Sequence, residues 1–208
     1  MRSCLFVSGR GRIAVLWLVT SALLSPVAAT ATSLRAVSIG DLLGAAELVF
    51  EGRVLSRESG RRARGSIRTC ARFEVLDVLK GPPVASPLEL CFSGGAVDGR
   101  MHGVHGMIHP KRGERGVYFV ESLSQPMVNP LYGWQQGHFV VSKDGSMRSA
   151  DGRALLGLDP ADELATGLSN GVARGARVAP RGARGAPGMG VDAFKAELRA
   201  RLGLGEGR

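Results

Sequence analysis

The chain has 208 residues, of which 44% are hydrophobic and 22% charged, enough apolar material for one core and too little polarity for wholesale disorder. Its net charge is +9, but lysine occurs only at Lys80, Lys111, Lys143 and Lys195, so the excess is carried by arginine, and Arg174, Arg177, Arg181 and Arg184 cluster in a stretch without acids. No basic face with interleaved aromatics is legible, which argues against nucleic acid as the partner.

Taken in chain order, residues 1–31 read as a secretory signal peptide. Arg2, Arg10 and Arg12 precede an uncharged apolar run from Ile13 to Leu24, then Pro26 and the small-x-small site Ala29-Thr30-Ala31. The run is short of the ~20 residues a bilayer span needs. An uncleaved anchor extending through Val27 to Ala31 is the alternative. Cys4 lies before the apolar core, so it is no lipid acceptor. Removing the three leading arginines lowers the charge from +9 to +6. No later stretch is apolar enough to span, so the mature body is expected in the periplasm or outside the cell.

The body, residues 32–158, is expected to be mainly β. Ser38 with Asp41 three residues on predicts a capped helix running to about Glu47. Leu48 to Leu55 predicts a first strand with a bulge at Gly52, and Arg57 to Arg68 a polar loop. Ile67 to Leu79 predicts a long strand stopped by Lys80-Gly81-Pro82-Pro83. Leu88 to Phe92, Val117 to Glu121 and Tyr132 to Ser142 predict three more. Lys143-Asp144-Gly145 predicts a hairpin turn into Ser146 to Ser149. Residues 93–116 form a long glycine-rich loop, of a length that is usually functional. Residues 159–190, rich in Gly, Ala, Arg and Pro, read as a disordered linker. In 191–208, Val191, Phe194, Leu198 and Leu202 share one helical face, predicting a C-terminal helix docked on the body or free to bind a partner. Five to six short strands with a helix at each end suit a small closed OB-like β-barrel, since closure removes exposed edges.

Cys70 and Cys91 remain after the signal. Two cysteines in an oxidising compartment often pair. However, a hairpin closed across Gly81–Pro87 sets Cys91 opposite Val75, beyond disulfide reach of Cys70. The sequence leaves both outcomes open.

The runs 46–54 (AELVFEGRV), 73–81 (FEVLDVLKG), 93–95 (SGG) and 113–120 (GERGVYFV) resemble those of a group of uncharacterised bacterial secreted proteins. Their strand order is similar to the barrel of tissue inhibitors of metalloproteinases and netrin-like modules. The likeness covers about residues 38–142 and implies an OB-type barrel. Those inhibitors reach a catalytic metal through a free N-terminal cysteine. No cysteine stands near Thr32, so that mechanism does not transfer. The stretch 130–139 (PLYGWQQGHF) also belongs to the resemblance, without an implied role.

Three groups of residues are candidates for a site. His102, His105 and His109, three imidazoles in eight residues, suit Zn²⁺ or Cu²⁺, though Gly103 and Gly106 disfavour a helix and the plain alternative is an exposed loop. Tyr132, Trp134 and His138 have even spacing and would share one strand face as an aromatic platform for a glycan or peptide, against the commoner role of packing in a core. Gln135 and Gln136 read as ordinary strand polar positions. No paired carboxylates or nucleophile elbow are legible; Glu114 has no visible partner carboxylate. The expected function is therefore a non-enzymatic binding or interaction module with a protein or glycan partner. The rivals are a metal-binding protein or metal-dependent hydrolase using the histidines, and a partner or inhibitor of an extracellular protease.

Overall fold

The computed structural model describes residues 33–62, 65–160, 165–183 and 185–205. The expected signal peptide lies outside them. Among the described residues no helix is long and apolar enough to cross a membrane.

Helix α1, Ile39–Ala45, starts where the capping pair predicts. The Asp41 N–H donates to Ser38 Oγ at 2.9 Å, and the Ser38 N–H donates to Asp41 Oδ2 at 2.8 Å. It stops short of Glu47 because Ala46 turns to extended backbone. The ammonium of Lys80 then bonds the carbonyls of Leu43, Gly44 and Ala46 at 2.5, 3.1 and 2.7 Å. A cation on otherwise orphaned C-terminal carbonyls is favoured by both hydrogen bonding and the helix dipole.

Strands β1, Leu48–Arg61, and β2, Ile67–Lys80, pair antiparallel along their whole length, from Val49↔Lys80 to Arg61↔Ile67. The loop expected over Arg57–Arg68 is thus mostly strand, closed only at the turn where the Arg62 N–H donates to the Ser66 carbonyl. Its polar residues face water on a ladder that backbone pairing supplies. A bulge does fall between Glu51 and Gly52. A Cβ at Gly52 would lie 2.6 Å from the Phe50 ring, so only glycine lets that ring fold back there.

Strand β3, Leu88–Ser93, pairs with the distal half of β2, from Phe73↔Leu88 to Arg68↔Ser93. A separate hairpin follows, β4, Gly95–Val97, with β5, Arg100–His102. Next come β6, Arg115–Val120; β7, His138–Val141; β8, Met147–Ser149; β9, Leu155–Leu158; and β10, Ala176–Val178. The chain closes with α2, Val191–Gly205. The main sheet runs β3-β2-β1-β6-β7-β8, and β9 pairs with β10 apart from it.

The protein is mainly β, but among the described residues no sheet closes into a barrel; the arrangement is sandwich-like. The outer edge of β8 is covered another way. The Met147 N–H bonds the Met189 carbonyl at 2.8 Å, and Ser146 bridges to Gly190. The segment expected to be disordered supplies this cover. Its described residues are laid down as an extended strap, tied by Ala36 N–H to the Gly167 carbonyl, Ile39 N–H to Arg174 and Ala179 N–H to Ala154. Val172, Ala173 and Ala179 are buried. Small residues without periodicity hide such a segment from pattern reading, because backbone bonds rather than an apolar face hold it.

Both faces of the sheet are buried, so alternate residues of one strand enter different clusters. Val49, Val117, Phe119, Phe139 and Val141 join α1, β9 and the Phe194 and Leu198 face of α2. Leu48, Phe50, Phe73, Tyr118 and Val120 form the other cluster with Phe92 and Leu131. Phe50, Phe73 and Tyr118 cluster with centroids 4.9 to 5.6 Å apart, Phe73 meeting the other two rings edge-on.

Candidate functional site

The three histidines are not brought together. Among the described residues, the one set of three His, Cys, Asp or Glu ligand atoms lying within 4.8 Å of one another is Cys70, Glu89 and Cys91. His102 and His105 are exposed, the first held on β5 opposite Gly95. His109 turns the other way: its Nε2 lies 3.1 Å from the Ser93 carbonyl and its ring meets the edge of Phe92.

Cys70 and Cys91 are direct cross-strand partners and form a disulfide. The register explains why a short hairpin would have kept them apart. Residues 74–80 of β2 pair with β1 alone, so the β2–β3 connection is longer than Gly81–Pro87 and β3 slides to the far half of β2. As a disulfide, the two sulfurs are not metal ligands.

Tyr132, Trp134 and His138 do not share a strand face. Trp134–Gly137 is a single 3-10 turn entered through left-handed Gly133 and Trp134, with φ of 66° and 60°. Such a φ is rare for a bulky side chain. Tyr132 packs on the α1 and α2 side of the core, while His138 opens β7 and is buried on the other side. Trp134 stays half-buried beside the histidine loop. A Cβ at Gly106 would be 3.4 Å from Leu34 and 4.0 Å from the Trp134 ring. The two regions expected to make contacts therefore adjoin.

Gln136, expected to be an ordinary strand position, is buried and fully used. Its Oε1 accepts from the Val37 N–H at 3.1 Å, and its Nε2 donates to the carbonyls of Arg35 and Gly133 at 3.0 and 3.1 Å. It fastens the segment before α1 to the turn before β7.

Two ionic clusters were not legible in the sequence. In one, the Glu51 carboxylate, 2% exposed, accepts from Arg115 Nε at 2.5 Å and Lys195 Nζ at 2.7 Å. Lys195 also reaches Asp77 at 3.0 Å, and Arg199 holds Asp77 through 2.8 Å bonds. Burial disfavours the charge on both Lys195 and Asp77. The bonds between them, with Glu51 and Arg199, outweigh it, raising the Lys195 pKa and lowering that of Asp77. These bonds join α2 to the centre of the sheet.

In the second, His138 Nε2 lies 2.7 Å from Glu114 Oε1, the Tyr118 hydroxyl donates to the same oxygen at 3.2 Å, and the Tyr118 and His138 rings stack at 5.0 Å. Burial pushes the Glu114 carboxyl up. His138, the Lys111 N–H and Tyr118 outweigh it, and the group ends below its ordinary value. Burial and the neighbouring carboxylate drive the Tyr118 hydroxyl well above 10.0. An ionised carboxylate only accepts, so Nε2 carries the proton. Nδ1 is buried without a partner among the described residues.

At the far end of the β1–β2 hairpin lies a depression of about 320 Å³. Arg62, Arg68 and His102 reach it from three elements, Ser93 stands at the end of β3, and Pro126, Met127 and Val128 form an apolar wall. Among the described residues no carboxylate lines it. Beside it, the β4–β5 hairpin presents Met101, 85% exposed.

Many residues of the runs 46–54, 73–81 and 113–120 have structural duties. Glu51 and Asp77 hold α2, Gly52 admits the Phe50 ring, and Lys80 caps α1. A Cβ at Gly81 would lie 2.4 Å from the Glu47 carbonyl oxygen, and one at Gly116 2.5 Å from that of Phe139. A scan against protein-family models and searches of curated proteins and of solved structures find no match to this chain.

Proposed function

We propose that the protein is an exported, non-enzymatic binding module. Its contact surface is the adjoining 93–116 loop and 132–138 turn, and its partner is a protein or glycan of the envelope or the extracellular space. The observation that carries this reading is Met101, an apolar side chain 85% exposed on a hairpin whose base is fixed. The Gly94 N–H donates to the Ile67 carbonyl at 2.9 Å, and Thr69 Oγ1 donates to the Gly94 carbonyl at 2.7 Å. A prearranged apolar projection lowers the entropy lost on binding. Export is supported by the Cys70–Cys91 disulfide, a bond that persists in oxidising compartments.

The non-enzymatic reading is supported by the use of the buried ionisable groups. Glu51, Asp77, Glu114 and Lys195 each bond to other side chains of the domain. To test the module, Met101→Glu and a distant control, Leu156→Glu, are compared with wild type for retention of envelope components on immobilised protein. A specific component lost with Met101→Glu and kept with the control is expected. Equal retention by all three would refute the assigned surface. Stoichiometric zinc or copper in the purified protein, lost on His105→Ala, would install the metal-dependent rival instead.

A further inference from the structure

We infer that the pocket between the β1–β2 turn and the 126–128 loop is a binding site for an oxyanion, carboxylate or phosphate, carried on a short apolar body. The inference deepens the module reading by naming a ligand class for the same end of the domain, and it rests on that reading.

Charge is the first argument. Arg62 and Arg68 line the pocket together with the imidazole of His102, and among the described residues no acid faces them there. Burial and the nearby Arg62 guanidinium both hold the Arg68 pKa below its ordinary value, as expected for two like charges placed close together. Arg61, the residue before Arg62, is paired with Asp98 at 3.3 Å, whereas among the described residues Arg62 has no carboxylate partner. A neighbouring depression of about 300 Å³ shares both arginines but also has Glu58 and Glu89 in its wall, where an anion would be repelled.

The second argument is pre-organisation. Arg68 Nη2 donates to the Met127 carbonyl at 2.9 Å, which leaves four of its five N–H donors. Arg62 sits on a turn closed by bonds of 2.8 and 3.1 Å with Ser66 and Gly65. Arg68 and Ser93 are cross-strand partners, and the Cys70–Cys91 bond lies two residues along the same ladder. The Ser93 N–H donates to the Val128 carbonyl at 2.8 Å, tying the apolar wall to the polar one. Planar guanidinium forks suit the geometry of carboxylate and phosphate. The third argument is shape: Val128 is 53% exposed beside Pro126 and Met127, a surface that a short alkyl or aliphatic group would cover. The volume, about 320 Å³, admits a head group and a short tail.

The test is calorimetric titration of the oxidised protein with octyl phosphate, octanoate, octylammonium and inorganic phosphate. One saturable site for octyl phosphate or octanoate is expected, and the tighter of the two identifies the head group. Octylammonium should not bind, and inorganic phosphate should bind roughly tenfold more weakly than octyl phosphate. Arg62→Gln and Val128→Asp change exposed side chains. Each should weaken the anion roughly tenfold, the scale of one lost charge-assisted bond or one added repulsion. The proposal is overturned if octylammonium binds as well as the anions, if neither anion binds, or if both variants bind like wild type. Amphiphile binding without Met101-dependent partner retention would sink the module reading alone, and the reverse would sink this one alone.

Discussion

Replacing Cys70 and Cys91 together by serine tests the register on which the distal end depends. The two residues are 21 apart in sequence. Closing a loop of that length removes unfolded-state entropy of about 2.1 plus 1.5R ln n, or roughly 11 cal/mol/K, which is about 3 kcal/mol at 25 °C. The serines would sit at a cross-strand pair that is only half-buried, so little native packing is lost with the sulfurs. Urea unfolding of the oxidised wild type and of the double variant, analysed by linear extrapolation, should therefore differ by about 3 kcal/mol. The variant's m-value should rise, because a chain without the cross-link exposes more surface on unfolding. Thiol titration of the native wild type should find neither Cys70 nor Cys91 reactive. Two reactive thiols, or a stability change below about 1 kcal/mol with an unchanged m-value, would refute the pairing of β2 with β3 in this register.

Three further outcomes follow from the interior. Lys195→Met leaves Glu51 buried with Arg115 alone. It should cost about 1–3 kcal/mol, with a coupling to Glu51→Gln of similar size in a double-mutant cycle by chemical denaturation. Gln136→Leu strands the Val37 N–H and the Arg35 carbonyl, so a loss of about 2–4 kcal/mol is expected, with faster hydrogen exchange at Val37. The carboxyls of Glu114 and Asp77 are held below their ordinary values in the fold, so their contribution is present above about pH 4.5 and is lost as the pH falls through their folded values. Lys195 is shifted upward, so its contribution is full below 10.5 and is lost as the pH rises through its folded value. Thermal unfolding across pH should show stability declining at both extremes, and Glu114→Gln should flatten the acid limb.

What the sequence made legible was local. The Ser38–Asp41 pair fixed the start of α1, the β-branched and aromatic residues of 67–79 marked β2, and the spacing of Val191, Phe194 and Leu198 gave the buried face of α2. Gly52 was recognisable as a bulge because a glycine in a strand has few other reasons to be there. Long-range choices were hidden. The pairing of Arg57–Arg61 with Ile67–Ala71 depends on a partner strand, not on polarity, and that pairing in turn moves β3 and unites the cysteines. Tyr132 and Trp134 have strand-like composition, yet the left-handed pair Gly133–Trp134 breaks the alternation that would have aligned them. Lys195 lies 144 residues from Glu51 and 118 from Asp77 where it meets them, distances no spacing rule covers.

The strap has a consequence for how the domain comes into being. Residues 167–174 bond the backbone just before α1, and 189–190 bond the strand β8. Phe194 and Leu198 fill the cavity that α1, β7 and β9 would otherwise leave open. The earliest and latest described segments are thus mutual templates: a chain stopped at residue 160 would have β1 to β9 but lack β10, the partner of β9, and both the lid and the seam of its larger core. The larger core is therefore complete only once the last helix is in place.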